Sequence, residues 1–85
     1  MKQLTQAVFD LPECPEWALS AAVNADGDGT YFADTANYLE AVEVGDTGIW
    51  IYKEGGNKRF DVQDIGNSFD STDWQNSAID REVVK

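Results

Sequence analysis

The chain has 85 residues and is 42 % hydrophobic, with three Trp, three Tyr and four Phe, which is enough apolar material for a small core and too much for a disordered acidic tail. A chain of this length predicts a single domain, residues 1–85. Sixteen Asp and Glu oppose six Lys and Arg, so the net charge is −10. A field of that sign repels nucleic acid and attracts a basic partner.

The apolar and cysteine content indicates the expected compartment. Runs such as 49–52 (IWIY) are far shorter than the roughly 20 residues of a membrane span. No basic stretch leads into an apolar run near residue 1, so no signal peptide is predicted. Cys14 is the only cysteine, which excludes an internal disulfide and favours a reducing, cytoplasmic setting.

The first half of the chain predicts one hairpin. Residues 1–10 fit either a short helix or an entering strand. Pro12 and Pro15 predict an extended, non-helical segment over residues 11–17. Residues 18–33 predict a β-hairpin, because the sequence ADGDG between two apolar stretches tolerates the positive φ of a tight turn.

The second half predicts another hairpin and short helices. Residues 34–47 fit one or two helical turns that end at Gly45. Residues 48–53 (GIWIYK) predict a strand, 54–57 (EGGN) a turn, and 58–62 (KRFDV) the partner strand. A capping-box pattern predicts a short C-terminal helix from about Asp73.

These elements together predict an α+β domain. We expect a small antiparallel sheet of about four strands, formed by two β-hairpins, with one or two short helices packed on it.

The stretch 24–29 (NADGDG) raises the question of a calcium site. Asn24, Asp26 and Asp28 occupy positions 1, 3 and 5 of an EF-hand loop when Gly29 is position 6, but position 12 is then Thr35 instead of a bidentate Glu. The flanking segments predict strands where the motif requires helices. We therefore expect a hairpin turn and no metal, with an adventitious cation site as the weaker alternative.

Catalytic chemistry has little support. The chain contains no His, which removes the usual general base, His-dependent triads and ordinary zinc sites. Cys14 has no adjacent cation to stabilise a thiolate, and no glycine-rich stretch is followed by the Lys-Ser/Thr of a phosphate-binding loop. We expect neither an enzyme nor a bound cofactor.

Aromatic side chains raise the alternative of a base-stacking platform for single-stranded nucleic acid. The four candidates are Tyr31, Trp50, Tyr52 and Phe60. Such platforms lie in positive grooves, whereas the only local cations are Lys53, Lys58 and Arg59. We expect the aromatics to form the core.

The order of motifs resembles that of small open reading frames of tailed bacteriophages and prophages. In those, a Cys-Pro-x-Trp-Ala segment leads into an Ala-Ala-Val-x-x-Asp-Gly hairpin and then an aromatic strand, and a Trp-x-x-Ser-x-x-x-Arg motif closes the chain. The matching residues are Cys14, Pro15, Trp17, Ala18, Ala21, Ala22, Val23, Asp26, Gly27, Trp50, Trp74, Ser77 and Arg81. The resemblance implies a phage origin and carries no catalytic site.

A phage origin and this charge favour a non-enzymatic inhibitor of a host defence protein, such as a CRISPR or restriction component, that acts as a DNA mimic in the host cytoplasm. Surface carboxylates would occupy a basic cleft made for phosphates. The predicted partner-binding residues are Asp26, Asp28, Asp34, Glu40, Glu43 and Asp46. The alternative is a structural or accessory phage protein, such as a small virion or assembly factor. The inhibitor is expected to be a monomer or a small homo-oligomer.

Overall fold

The computed structural model describes residues 2–54 and 61–82. Within these ranges the strands are β1 (Ser20–Val23), β2 (Gly29–Phe32), β3 (Leu39–Val44), β4 (Thr47–Tyr52), β5 (Val62–Gly66) and β6 (Ile79–Asp80). Short 3₁₀ helices span Gln6–Asp10, Ala36–Tyr38 and Trp74–Asn76. The described part of the chain has no helix long and apolar enough to cross a membrane.

The predicted α+β class is wrong, because the domain is β-rich and its described helices are 3₁₀ turns of three to five residues. Residues 34–47, where we predicted helical turns, form one 3₁₀ turn followed by β3. Leu39 and Ala41 lie on one face of β3, and Val42 and Val44 lie on the other. This arrangement suits a strand, because β-branched side chains pack well on a pleated surface.

The predicted first hairpin is confirmed, because β1 pairs with β2 in antiparallel register from Ser20–Phe32 to Val23–Gly29. The Asn24 N–H donates to the Asp28 carbonyl at 2.8 Å, and Gly27 has a φ of +92°. This hairpin forms the centre of a four-stranded sheet with the order β5-β2-β1-β6.

The second hairpin has a different partner from the one predicted. β4 pairs with β3, and β5 pairs with β2; residues 58–60 of the predicted partner strand lie outside the described residues. Gly45 does not end a helix: it has a φ of +62° at the first position of the turn between Val44 and Thr47. A positive φ there matches a type II′ turn, whose twist suits a hairpin.

The predicted C-terminal helix is limited to the 3₁₀ turn at Trp74–Asn76. The Ser77 hydroxyl ends it by contacting β1: it accepts from the Val23 N–H at 2.9 Å and lies 2.7 Å from the Trp74 carbonyl. The chain then enters β6, where Ile79 pairs with Ala21. Docking onto β1 therefore replaces further helical turns.

Apolar residues cover both faces of the four-stranded sheet, so the core has two parts. Tyr31 and its cross-strand partner Ala21 belong to the first part, on the face that the N-terminal segment covers. The buried residues of this part are Val8, Phe9, Ala18, Ala21, Val23, Tyr31 and Phe69. The second part, on the opposite face, is Ala22, Phe32 and Leu39 with Trp50, Tyr52 and Ala78 packed against it.

Trp50 attaches the β3–β4 hairpin to the sheet. Its indole N–H lies 3.0 Å from the Val23 carbonyl and 3.1 Å from the Trp74 carbonyl, so it donates to the end of β1 and to the last 3₁₀ turn. Its main-chain N–H donates to Asn24 Oδ1 at 3.0 Å. Three separate segments therefore meet at this one residue.

We predict that Trp50→Ala lowers the free energy of unfolding by about 3–5 kcal/mol, because it removes a large packed ring and leaves a cavity. Trp50→Phe keeps a ring but removes the indole N–H, so we expect a smaller loss of about 1–3 kcal/mol. Urea denaturation followed by circular dichroism measures both changes. Leu19→Ala, at a side chain that is 41 % exposed, is the control; equal stability of Trp50→Ala and this control would contradict the assigned role.

Candidate functional site

The turn between β1 and β2 presents two of the predicted acidic residues beside a third carboxylate. Asp26 is exposed, and its Oδ1 accepts the Asp28 N–H at 3.0 Å. Asp64 on β5 is close enough to interact electrostatically with Asp28, since Thr30 on β2 pairs with it. Repulsion from Asp26 is the largest cause that raises the pKa of Asp28, followed by desolvation and by Asp64.

The turn between β3 and β4 brings two further predicted residues to the same end of the domain. Glu43 and Asp46 are exposed and line a cleft of about 250 Å³ with Ala25 and Trp74. The Ala25 N–H donates to the Gly48 carbonyl at 3.0 Å, which holds the two turns side by side. We call Asp26, Asp28, Glu43, Asp46 and Asp64 the acidic end.

Gly48 allows this junction to close. A Cβ atom at residue 48 would lie 2.3 Å from Trp74 Cζ2 and 2.8 Å from Ala25 Cβ, so a side chain there would separate the two turns. The indole of Trp74 therefore packs directly on the main chain of β4 and forms the apolar wall of the cleft.

Two predicted residues do not belong to the acidic end. Asp34 is only 5 % exposed; its Oδ1 accepts the Thr35 N–H at 2.9 Å and its carbonyl accepts the Ser20 hydroxyl at 2.6 Å. Those bonds hold Asp34 in place, and its burial leaves little of it at the surface. Glu40 is exposed on β3, but it opposes Ile51 on the outer face of the hairpin.

Asp64 is the residue of the acidic end that sequence reasoning missed. It lies in β5, which we had not predicted as a strand beside β2. Asp64 approaches Asp28 only because β5 pairs with β2. A correct prediction of that pairing would have identified it.

Described cations lie mainly away from the acidic end. The Lys53 N–H bonds to the Tyr38 carbonyl, at the end of the hairpin opposite its turn. The Arg81 guanidinium lies 3.3 Å from the Ala18 carbonyl, before the start of β1. Lys2 is nearer, with its ammonium 4.6 Å from the centre of the Phe69 ring. Among the described residues, the acidic end therefore gathers more negative than positive side chains.

The alternative of a cation site in residues 24–29 has weak geometry. Asn24 Oδ1, the predicted first ligand, already accepts the Trp50 N–H, and Asp26 Oδ1 accepts the Asp28 N–H. Among residues 2–54 and 61–82, no cluster of three or more Cys, Asp or Glu has the arrangement of a metal site. The stretch serves as a hairpin turn.

The proposed aromatic platform is not assembled. Tyr31 is fully buried, and its hydroxyl donates to the Val8 carbonyl; burial is the main reason that its pKa is raised. Trp50 and Tyr52 pack on the opposite face of the sheet, and Phe60 lies outside the described residues. The three candidates that the structure describes therefore pack in or against the core, as expected.

No protein-family model, curated protein or solved structure matches the chain.

We predict that Asp28→Asn raises the melting temperature at pH 7. The raised pKa of Asp28 means that its charged form is less favourable in the folded than in the unfolded chain, so its charge destabilises the fold at neutral pH. The gain should vanish as the pH falls through the pKa values of Asp28 and the carboxyl becomes neutral. Thermal unfolding at pH 7 and pH 3, followed by circular dichroism, measures the difference.

Glu16→Gln removes one exposed negative charge elsewhere and is the matched control. An equal gain from both variants would assign the effect to net charge, and the crowding of Asp28 would then have no measurable consequence.

Proposed function

We propose that the protein is a non-enzymatic, phage-encoded protein-binding module that inhibits a basic, nucleic-acid-handling host defence protein, such as a CRISPR or restriction component, in the host cytoplasm. The acidic end would occupy the cleft in which that protein binds phosphates. The observation that carries the proposal is the convergence of the β1–β2 and β3–β4 turns, which gathers five carboxylates from three segments.

Electrostatics supports a basic partner. Repulsion by Asp26 is the largest cause that raises the pKa of Asp28, and desolvation and repulsion by Asp64 add to it. An arginine or lysine from a partner would relieve that repulsion, so part of the binding free energy would come from a cost that the free protein already carries. Charged groups at such surfaces also accelerate association and make it sensitive to salt.

The cleft at the acidic end combines carboxylates with an apolar wall. Glu43 and Asp46 border it and Trp74 contributes a wall. A guanidinium group can pair with carboxylates and stack on an indole ring at the same time. This arrangement favours recognition of arginine side chains over recognition of a diffuse positive field.

The alternative function, a structural or accessory phage protein, is favoured by a different surface. The outer face of the β3–β4 hairpin includes Val44, which is 64 % exposed, and Ile51, which is 39 % exposed. Val42 and Ile49 lie between them on the same face, and aliphatic side chains at the surface suit the apolar contacts of an assembly. Such contacts would be insensitive to salt, which separates the two functions experimentally.

We predict that neutralising four of the five carboxylates of the acidic end weakens partner capture by at least about tenfold. The variant carries Asp26→Asn, Glu43→Gln, Asp46→Asn and Asp64→Asn. Tagged protein is incubated with bacterial lysate at low and at high salt, and the retained proteins are identified by mass spectrometry. A nucleic-acid-binding protein that the natural sequence holds at low salt and that DNA displaces is the expected result.

The matched control removes the same number of charges from exposed residues elsewhere. It carries Asp10→Asn, Glu13→Gln, Glu16→Gln and Glu54→Gln. Equal loss of capture by both variants would reduce the effect to net charge, and undiminished capture by the acidic-end variant would refute the proposal. Salt-insensitive retention of the protein itself or of phage structural proteins would favour the assembly function.

A further inference from the structure

No described strand pairs with the edge of β3 that faces away from β4. The Lys53 N–H donates to the Tyr38 carbonyl at 2.8 Å. This bond fixes which residues of β3 hydrogen-bond to β4 and which point away from it, because the two kinds alternate along an antiparallel strand. Residues 40, 42 and 44 therefore direct their main-chain groups toward β4, while Ala41 and Glu43 direct theirs outward. Among the described residues, the outward N–H and C=O groups of Ala41 and Glu43 have no hydrogen-bond partner.

The opposite edge of the same hairpin is already occupied. The Trp50 N–H donates to Asn24 Oδ1 at 3.0 Å, and the Gly48 carbonyl accepts from the Ala25 N–H at 3.0 Å. The β1–β2 turn therefore covers β4. Both contacts also confirm the alternation, because they use main-chain groups of β4 that point away from β3.

The edges of the four-stranded sheet are less suited to pairing. β6 has two residues, and the pairing of β5 with β2 shifts register between Gly29 and Thr30. β3 has six residues in continuous register. Its sequence LEAVEV contains no Lys or Pro, and its register has no bulge. Lys, Pro and bulges usually protect an exposed edge strand from pairing.

We propose that β3 binds an extended, basic segment of a partner protein as an added β-strand. The main-chain groups of Ala41 and Glu43 would supply the hydrogen bonds, as in other cases of strand addition. Glu40 lies on the outer face of the hairpin with Val42 and Val44, while Glu43 lies on the inner face. An added strand that places Lys or Arg on the inner face beside Glu43, and aliphatic residues on the outer face beside Val42 and Val44, therefore complements this edge.

Charge argues against a second copy of this chain as the occupant. Pairing two β3 strands would bring Glu40 and Glu43 of both copies into one ribbon, and each chain carries a net charge of −10. Like charges on neighbouring strands are destabilising. A basic segment gains from the same residues.

This inference rests on the proposed function for the sign of the partner's charge and adds how and where the partner binds. Strand addition reads main-chain groups, so it would supply register and orientation to an interaction that the acidic end alone would leave loosely specified. The two surfaces are continuous, because Glu43 belongs to the acidic end and its main chain belongs to this edge of β3.

The test uses a synthetic peptide of about eight residues in which lysine alternates with valine and threonine. Amide hydrogen exchange of the full chain is measured by NMR with and without it. We expect exchange at Ala41 and Glu43 to slow by at least about tenfold, with no comparable change at Glu40 and Val42, whose N–H groups already face β4. A peptide of the same sequence, N-methylated at alternate residues so that it cannot pair, is the control.

Ala41→Pro removes one outward N–H and leaves the ladder to β4 intact, which edge strands tolerate. We expect it to abolish peptide binding, and unchanged amide shifts in β1 and β2 report that the variant is folded. If it does not fold, the exchange measurement on the natural sequence still decides.

Three outcomes would overturn the inference. Binding without protection at Ala41 and Glu43, with shifts confined to the acidic end, would leave the proposed function standing and remove strand addition. Protection that grows with protein concentration in the absence of peptide would identify a second copy as the occupant. Absence of binding would show that the edge does not accept a basic strand. The proposed function is measured separately, by loss of lysate capture in the acidic-end variant.

Discussion

The rest of the structure depends on the junction at Trp50. Its indole N–H and main-chain N–H bond to β1, to the β1–β2 turn and to the last 3₁₀ turn. A two-stranded hairpin is marginally stable by itself in water. The β3–β4 hairpin is docked by these bonds and by the apolar contacts of Leu39 and Tyr52. It then covers the second part of the core.

The same junction creates the charged surface. Because Asn24 and Ala25 bond to β4, the tip of one hairpin lies beside the tip of the other, and both tips carry carboxylates. Turn residues are exposed and favour Asp for local reasons, so two adjacent turns concentrate negative charge without burying it. The buried apolar faces of the sheet offset the repulsion that results.

Docking also determines which edge of the hairpin is available. Once the β1–β2 turn occupies β4, the outward main-chain groups of Ala41 and Glu43 in β3 remain without a partner among the described residues. An edge strand with no Lys or Pro ordinarily invites unwanted pairing. Here the neighbouring Glu side chains repel other acidic chains, including copies of the same chain, and so limit which strands can pair with it.

Local sequence by itself determined the features that need no distant partner. The ADGDG turn and the strand at GIWIYK follow from φ preferences and β-branched or aromatic content, and both are present. The segment around Pro12 and Pro15 is non-helical as predicted but not extended, because the Cys14 N–H bonds to the Leu11 carbonyl and the Ala18 N–H to the Pro15 carbonyl. The net charge and the four acidic residues that lie at the two turns were also accessible, because polar residues in turns remain at the surface.

Only the tertiary structure decided the partner of β4. Two turn sequences flank that strand, at Gly45–Asp46 and at 54–57, and local propensity does not choose between them. Packing of Leu39 against Ala22 and Phe32 favoured β3 as the partner. Residues 39–44 therefore form a strand where helical turns were predicted, and the domain is β-rich where an α+β domain was predicted. The burial of Asp34 and the approach of Asp64 to Asp28 likewise arise from contacts between segments far apart in the chain, and such contacts have no local signature.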